Sequence, residues 1–189
     1  FKMRPLIYIL VNSSVGKLGN IGFRTAKIIE YANDKNIGIK LFARHSQYFK
    51  NYNLNQYEYI SRGLNFIRIY LIRGFNHISI DNFLFQFLEK YLVGKKIAKQ
   101  KIQVGILHAW GNYVDRMKFY KDNNFKIILD VPIASHLHAV EIFRDSNQKI
   151  VCDKNKVLSD TEAYDIADKI IAPGQFVADG IIKNYSINA

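Results

Sequence analysis

Short runs rich in Ile, Leu and Val alternate along this chain with longer segments whose apolar residues recur at helical spacing. Few folds satisfy that alternation, because each strand must meet the next one in parallel after a helical crossover. Leu6 to Val11, Ile37 to Ala43, Val104 to Ala109, Lys126 to Val131 and Lys169 to Ala172 read as strands. The helical stripe Ile21, Thr25, Ile28, Ala32 follows the first of them. Further helices are predicted over Tyr113 to Asp122, Ala134 to Arg144, Ser159 to Ala167 and Gln175 to Tyr185. Another is predicted from Asp81, as N-cap, to Leu92, with Phe83, Leu84, Phe87, Leu88, Tyr91 and Leu92 on one packed face. Between Arg44 and His77, Tyr57 to Ile60 and Leu64 to Ile72 read as extended, although Arg62, Arg68 and Arg73 interrupt them. The expected fold is α/β: a Rossmann-like parallel sheet with helices on both faces, forming one domain over residues 1–189.

Composition is compatible with this reading and narrows the partners. The 49% share of hydrophobic residues can supply a sizeable core, and 14% aromatics argue against a disordered chain. Cys152 stands alone, so an intramolecular disulfide and a cysteine-based structural zinc site are both excluded. A reducing, cytoplasmic setting is the expectation. The longest apolar runs fall well short of the roughly 20 residues that cross a bilayer. The formal charge of +11 favours anionic partners such as nucleic acid, acidic lipid or phosphate-bearing substrates. A start at Phe1 and a stop at Ala189, just after a helical segment, lead us to expect a trimmed or partial chain.

In open parallel sheets ligands bind beyond the carboxyl ends of the strands, so the residues there are the candidates. They are Asn12, Ser13 and Ser14 with a glycine loop, Arg44 and His45, His108 with Trp110, Asp130 with Pro132, and Pro173 with Gly174. The loop Gly16-Lys17-Leu18-Gly19-Asn20-Ile21-Gly22 precedes a helix, whose free N–H groups could meet a phosphate. Its G-x-x-G-x-x-G spacing is neither the dinucleotide fingerprint nor a P-loop, and by itself it equally suits an ordinary connection. His136 and His138 follow a strand end, where a neutral imidazole could donate to a hydroxyl or phosphate. Their i, i+2 spacing does not share a helix face, which argues against a paired metal site. A plain surface position suits His138.

Three segments, read together, resemble the N-terminal domain of family-four glycosyltransferases of the GT-B type. The first is the opening strand with its glycine loop and the helix Gly22 to Ala32, with spaced glycines where the family carries a Gly-Gly pair. The second runs from Ile106-Leu107-His108-Ala109-Trp110-Gly111 to Ile127-Ile128-Leu129-Asp130-Val131-Pro132 and Ser135-His136. The third, Glu162 to Val177, is similar to the family's signature of a Glu, an Ala-Asp pair, an Ile, then Pro-Ser and Phe-Val. Gly174 stands here for the Ser.

The resemblance spans nearly the whole chain, and it implies transfer of a sugar, hexosyl-like, from a nucleotide-diphosphate donor to an acceptor hydroxyl with retention. It implies no metal and no cofactor besides the donor itself, and a C-terminal nucleotide-sugar domain that the 189 residues do not include. Gly19 and Gly22 would approach the donor diphosphate, and His136 would act catalytically beside the transferred sugar. His108, Trp110 and Asp130 would line the acceptor side. The implied acceptor is a glycan, lipid-linked or phosphorylated, with peripheral membrane contact through Arg62, Arg68, Arg73, Lys95, Lys96, Lys99 and Lys101 among Phe66, Tyr70 and Phe75. A solvated lysine-rich face is the plainer account of the same residues.

Two rival readings follow from the residues. Basic charge near aromatics would suit a nucleic-acid-binding domain, but no recognisable binding motif accompanies it. A nicotinamide-dependent oxidoreductase would suit the fold. Its glycine spacing is wrong, however, and Ala43, Arg44 and His45 stand where an acidic ribose partner is expected.

Overall fold

The computed structural model describes residues 6–16, 20–46, 55–58, 78–99, 105–146 and 151–187. Among them are six strands: β1 (Leu6–Val15), β2 (Gly38–Ser46), β3 (Asn55–Glu58), β4 (Gly105–Trp110), β5 (Phe125–Asp130) and β6 (Lys169–Ile171). They form one sheet in the order β3-β2-β1-β4-β5-β6, and every described pairing is parallel. The helices are α1 (Asn20–Asp34), α2 (Ile78–Glu89), α3 (Lys95–Ala98), α4 (Val114–Asp122), α5 (His136–Asp145), α6 (Lys154–Ile166) and α7 (Gln175–Tyr185). A π-helical turn, Lys90–Gly94, links α2 to α3. The protein is therefore an α/β fold of Rossmann-like topology.

The period-two alternation of β1 shows why both faces are covered. Ile9 and Val11 face Ala26, Ile29 and Ala32 of α1, together with Leu41, Ala43 and Trp110. Tyr8 and Leu10 face the opposite cluster, with Phe85, Met117, Tyr120, Ala163, Val177 and Ile181. Burial on both sides explains why these strands read as continuous apolar runs.

Several expectations are corrected. β1 runs on to Val15 through a register irregularity between Val11 and Ser14, and β2 runs on to Ser46. Arg44 and His45 thus end β2 and do not follow it. The third strand is Asn55–Glu58, a little before the expected Tyr57 to Ile60, while Leu64 to Ile72 lies outside the described residues. Asp81 is not an N-cap, because α2 already begins at Ile78. α6 starts at Lys154, five residues before the expected Ser159. Its polar first turn has no apolar stripe to signal it, but Asp153 caps it by accepting from the N–H groups of Asn155 and Lys156.

The largest correction concerns the face of α2. Phe83, Leu84, Phe87, Tyr91 and Leu92 are exposed, and the helix and its π-turn bury Phe85, Glu89 and Val93 instead. Glu89 can be buried because its carboxylate accepts from the hydroxyls of Tyr8 (2.9 Å) and Tyr120 (2.6 Å) and pairs with the Arg116 guanidinium. A charged residue that is fully satisfied inside the core inverts a pattern read from hydrophobicity alone.

Candidate functional site

The strand order reverses direction of progression between β1 and β4, and a crevice at the carboxyl ends of the strands is the expected ligand position at such a switch point. Around this rim two clusters of polar residues assemble.

The first joins β4, β5 and α1. Asp130, at the end of β5 and only 1% exposed, accepts from Arg24 Nη2 at 2.9 and 3.1 Å. It also faces His108 Nε2 at 3.1 Å. A carboxylate can only accept, so Nε2 is the protonated nitrogen of that ring. The His108 ring stacks on Trp110 (5.4 Å, 15°), and the Arg24 guanidinium lies 4.7 Å over the indole. The predicted His108, Trp110 and Asp130 therefore come together, but His108 and Trp110 are buried and not spread along an open wall. Arg24, which draws them into one unit, is not singled out by any sequence motif. Among the described residues Arg24 Nη1 and Trp110 Nε1 have no hydrogen-bond partner.

The second cluster fixes the start of α5. Ser135 caps the helix by accepting from the His138 N–H, and Asp160 Oδ2 accepts from the His136 N–H at 3.0 Å. Asp160 also takes the Tyr185 hydroxyl at 2.9 Å and the Asn112 amide. A protein carboxylate thus already occupies the positive end of α5, where an anion would otherwise be stabilised. Burial, followed by the hydrogen bond and charge of Asp160, pushes the Tyr185 phenol up to about 12. Burial and the same charge also raise Tyr164.

His136 is held by its own ring: Nε2 accepts the Asp153 N–H at 2.8 Å. That contact requires an unprotonated Nε2, so the neutral ring carries its hydrogen on Nδ1 and keeps one donor in hand. His138 is not the surface residue expected. Its ring packs 4.5 Å from that of Phe176 and against Gly180, and both ring nitrogens are buried.

The clusters meet at a cleft of about 520 Å3, whose walls include Asp130, His136, Asp160, Lys156, Ser159 and Gln86. That volume falls in the roughly 300–1,000 Å3 range of small-molecule sites. Gly111, on its edge, has φ +126°, a conformation open to glycine and strained for other residues. On the α1 side, Gly22 is buried and its carbonyl accepts the Gly16 N–H at 3.4 Å, while Gly19 lies outside the described residues. Arg44 Nε and Nη2 both reach Asn12 Oδ1, at 3.2 and 3.0 Å, and the Asn12 N–H donates to the Tyr113 hydroxyl at 3.3 Å. Among the described residues no group of three or more His, Cys, Asp or Glu is placed to hold a metal ion.

Asn112, Lys156, Asp160 and Tyr185 were not legible as site residues. They come from the loop after β4 (Asn112), from α6 (Lys156 and Asp160) and from the end of α7 (Tyr185), and only the polar ends of predicted strands pointed towards them. Among the described residues no helix is long and apolar enough to cross a membrane. No protein-family model and no curated protein matches the chain. Among solved structures, the chain is similar to a homoserine dehydrogenase from S. aureus, crystallised at pH 6.0, with 14% identity and a TM-score of 0.33. The alignment covers 90% of this chain and 33% of that one, so the chain spans about a third of that enzyme's length, and a likeness this slight does not speak to function.

Proposed function

We propose that this domain is the acceptor-side half of a retaining GT-B glycosyltransferase, whose cleft receives an acceptor hydroxyl beside a nucleotide-diphosphate sugar carried by a facing lobe. The observation that favours this reading most is the state of His136. It is a cleft-lining imidazole whose Nε2 accepts the Asp153 N–H, which leaves Nδ1 as its donor position. Such a ring donor suits sugar hydroxyls, and Ser159, Lys156 and Asn112 add polar groups to the same cleft. In this reading Asp130, bonded to Arg24 and His108, would hold the acceptor wall, and Gly22, in the first turn of α1, would approach the diphosphate.

One observation favours a second reading. The strand order β3-β2-β1-β4-β5-β6 is also that of dinucleotide-binding sheets. Against it, the end of β2 carries Arg44, tied to Asn12, where a ribose-binding carboxylate is expected.

Saturation-transfer NMR on the full chain separates the two. Simple methyl glycosides should show contact with the protein, and His136→Ala should abolish it. Nucleotide-diphosphate sugars should bind weakly or not at all, and no transfer should occur without the facing lobe. Micromolar binding of NAD or NADP, with no glycoside contact, would overturn the proposal in favour of the oxidoreductase.

A further inference from the structure

Between α2 and α4 runs a groove of about 500 Å3, walled by Phe83, Phe87 and Lys90 on one side and by Asp115, Phe119 and Asp122 on the other. The side chains that α2 and its π-turn leave exposed are largely apolar. Phe83, Leu84, Phe87, Tyr91 and Leu92 are each between 44% and 66% exposed. The rings of Phe83, Phe87 and Tyr91 follow at four-residue spacing with centroids 6.2 and 4.5 Å apart, so they form one continuous ridge. An apolar ridge rimmed by polar residues marks an interaction face.

Both signs of charge border this face, and that decides what can cover it. Lys90, Lys95 and Lys96 are exposed along the α2 side, with Lys95 Nζ 4.5 Å over the Tyr91 ring. Asp115 and Asp122 are exposed on the α4 side of the groove. The other cations of the groove are already engaged, Arg116 with Glu89 and Lys118 with Glu162. Among the described residues neither Asp115 nor Asp122 has an ion-pair partner. A uniformly anionic surface, a bilayer or a nucleic-acid strand, would meet the lysines favourably and be repelled by the aspartates, and a uniformly basic partner would meet the reverse. A partner with both signs beside an apolar ridge satisfies both borders. This face is itself such a surface, and under two-fold symmetry each copy receives what the other presents.

We propose that the face formed by α2, its π-turn and α4 is a self-complementary interface through which a second copy of this chain docks. The aromatic ridge of each copy packs against the groove of the other, and Lys90, Lys95 and Lys96 of one copy meet Asp115 and Asp122 of the other. Gln86 lines both this groove and the cleft of the candidate site, so a docked copy stands beside that cleft. The association itself does not rest on the transferase reading.

Sedimentation equilibrium of the full chain tests the interface. It is run at about 0.15 M salt, because a formal charge of +11 drives copies apart when screening is weak. The mass should rise from 21.9 kDa towards twice that value as concentration is raised through the micromolar range. Phe87→Ser with Tyr91→Ser should keep the chain monomeric throughout, with an unchanged circular dichroism spectrum because both side chains are exposed. Lys95→Glu with Lys96→Glu, and separately Asp115→Lys with Asp122→Lys, should each weaken self-association by at least about tenfold, since like charges then face one another. Mixing the two charge-reversed proteins should restore a dimer, because each then meets the opposite charge. The proposal is overturned if the wild type stays monomeric, whether or not it floats with anionic vesicles, if the serine variant associates as well as wild type, or if mixing the charge-reversed proteins restores nothing.

Discussion

The guanidinium of Arg24, on α1, sits astride the carboxylate of Asp130, at the end of β5, with Nη2 at 2.9 and 3.1 Å from the two oxygens. This pair ties the helix after the first strand to the far side of the switch point. Asp130 is almost wholly buried, so removing its cation leaves a desolvated charge with His108 as its remaining side-chain partner among the described residues. Arg24→Ala should lower stability by about 3 kcal/mol, near the lower end of what breaking a buried pair costs, since Arg24 is itself partly exposed. A urea midpoint unchanged from wild type would refute this.

Glu89 sits deeper. Glu89→Ala leaves Arg116 buried without a counter-charge and should destabilise by about 3–5 kcal/mol. Tyr8→Phe removes one hydrogen bond to the same carboxylate and should cost about 1.5–3 kcal/mol. Denaturant titration of the two variants should place Glu89→Ala well below Tyr8→Phe, and the reverse order would show that the carboxylate is not the hub.

Asp160 sets the titration of Tyr185. With Asp160→Asn, the negative charge that raises the phenol is gone and burial alone remains. Spectrophotometric titration should move Tyr185 down from about 12 towards the ordinary value of about 10.

Asp168 should give an acid-dependent contribution. Burial opposes its ionisation, but the Lys121 ammonium at 2.7 Å, the Ile127 N–H at 2.8 Å and Lys126 outweigh that and hold its carboxyl below the usual value. A folded value below the unfolded one, about 3.9 for Asp, stabilises the fold above that pH and loses the effect as pH falls through the folded value. Asp168→Asn should therefore be less stable than wild type at neutral pH, and thermal melts at falling pH should show the gap narrowing below about pH 4.

Gly180 is fitted to His138. A Cβ there would lie 2.5 Å from His138 Cγ and 2.7 Å from Nδ1, and the ring is backed by Phe176. Gly180→Ala should destabilise by about 1–3 kcal/mol through overpacking. Adding His138→Ala should recover part of that loss. A double variant less stable than the sum of the singles would contradict the contact.

The alternation of short Ile-, Leu- and Val-rich runs, such as Leu6 to Val11 and Ile127 to Leu129, with segments of helical spacing was sufficient to indicate a parallel α/β sheet, because strands buried on both faces carry apolar residues consecutively. Trp110 and Asp130 stand at strand ends and His108 two residues before one, which is what made them candidates, whereas His136, six residues past β5, was preferred only through the family resemblance. Tertiary structure decided the rest. The partnership of Arg24 with Asp130, the seat of Asp160 on the start of α5, and the burial of Glu89 join residues separated by 106, 24 and 27 or more positions. A buried charge is tolerated only where distant partners complete its hydrogen bonds, and no local pattern along the chain records where those partners will fall. That is why α2 read as packed along Phe83, Phe87 and Tyr91, although folding turns that face outward and takes Glu89 inside.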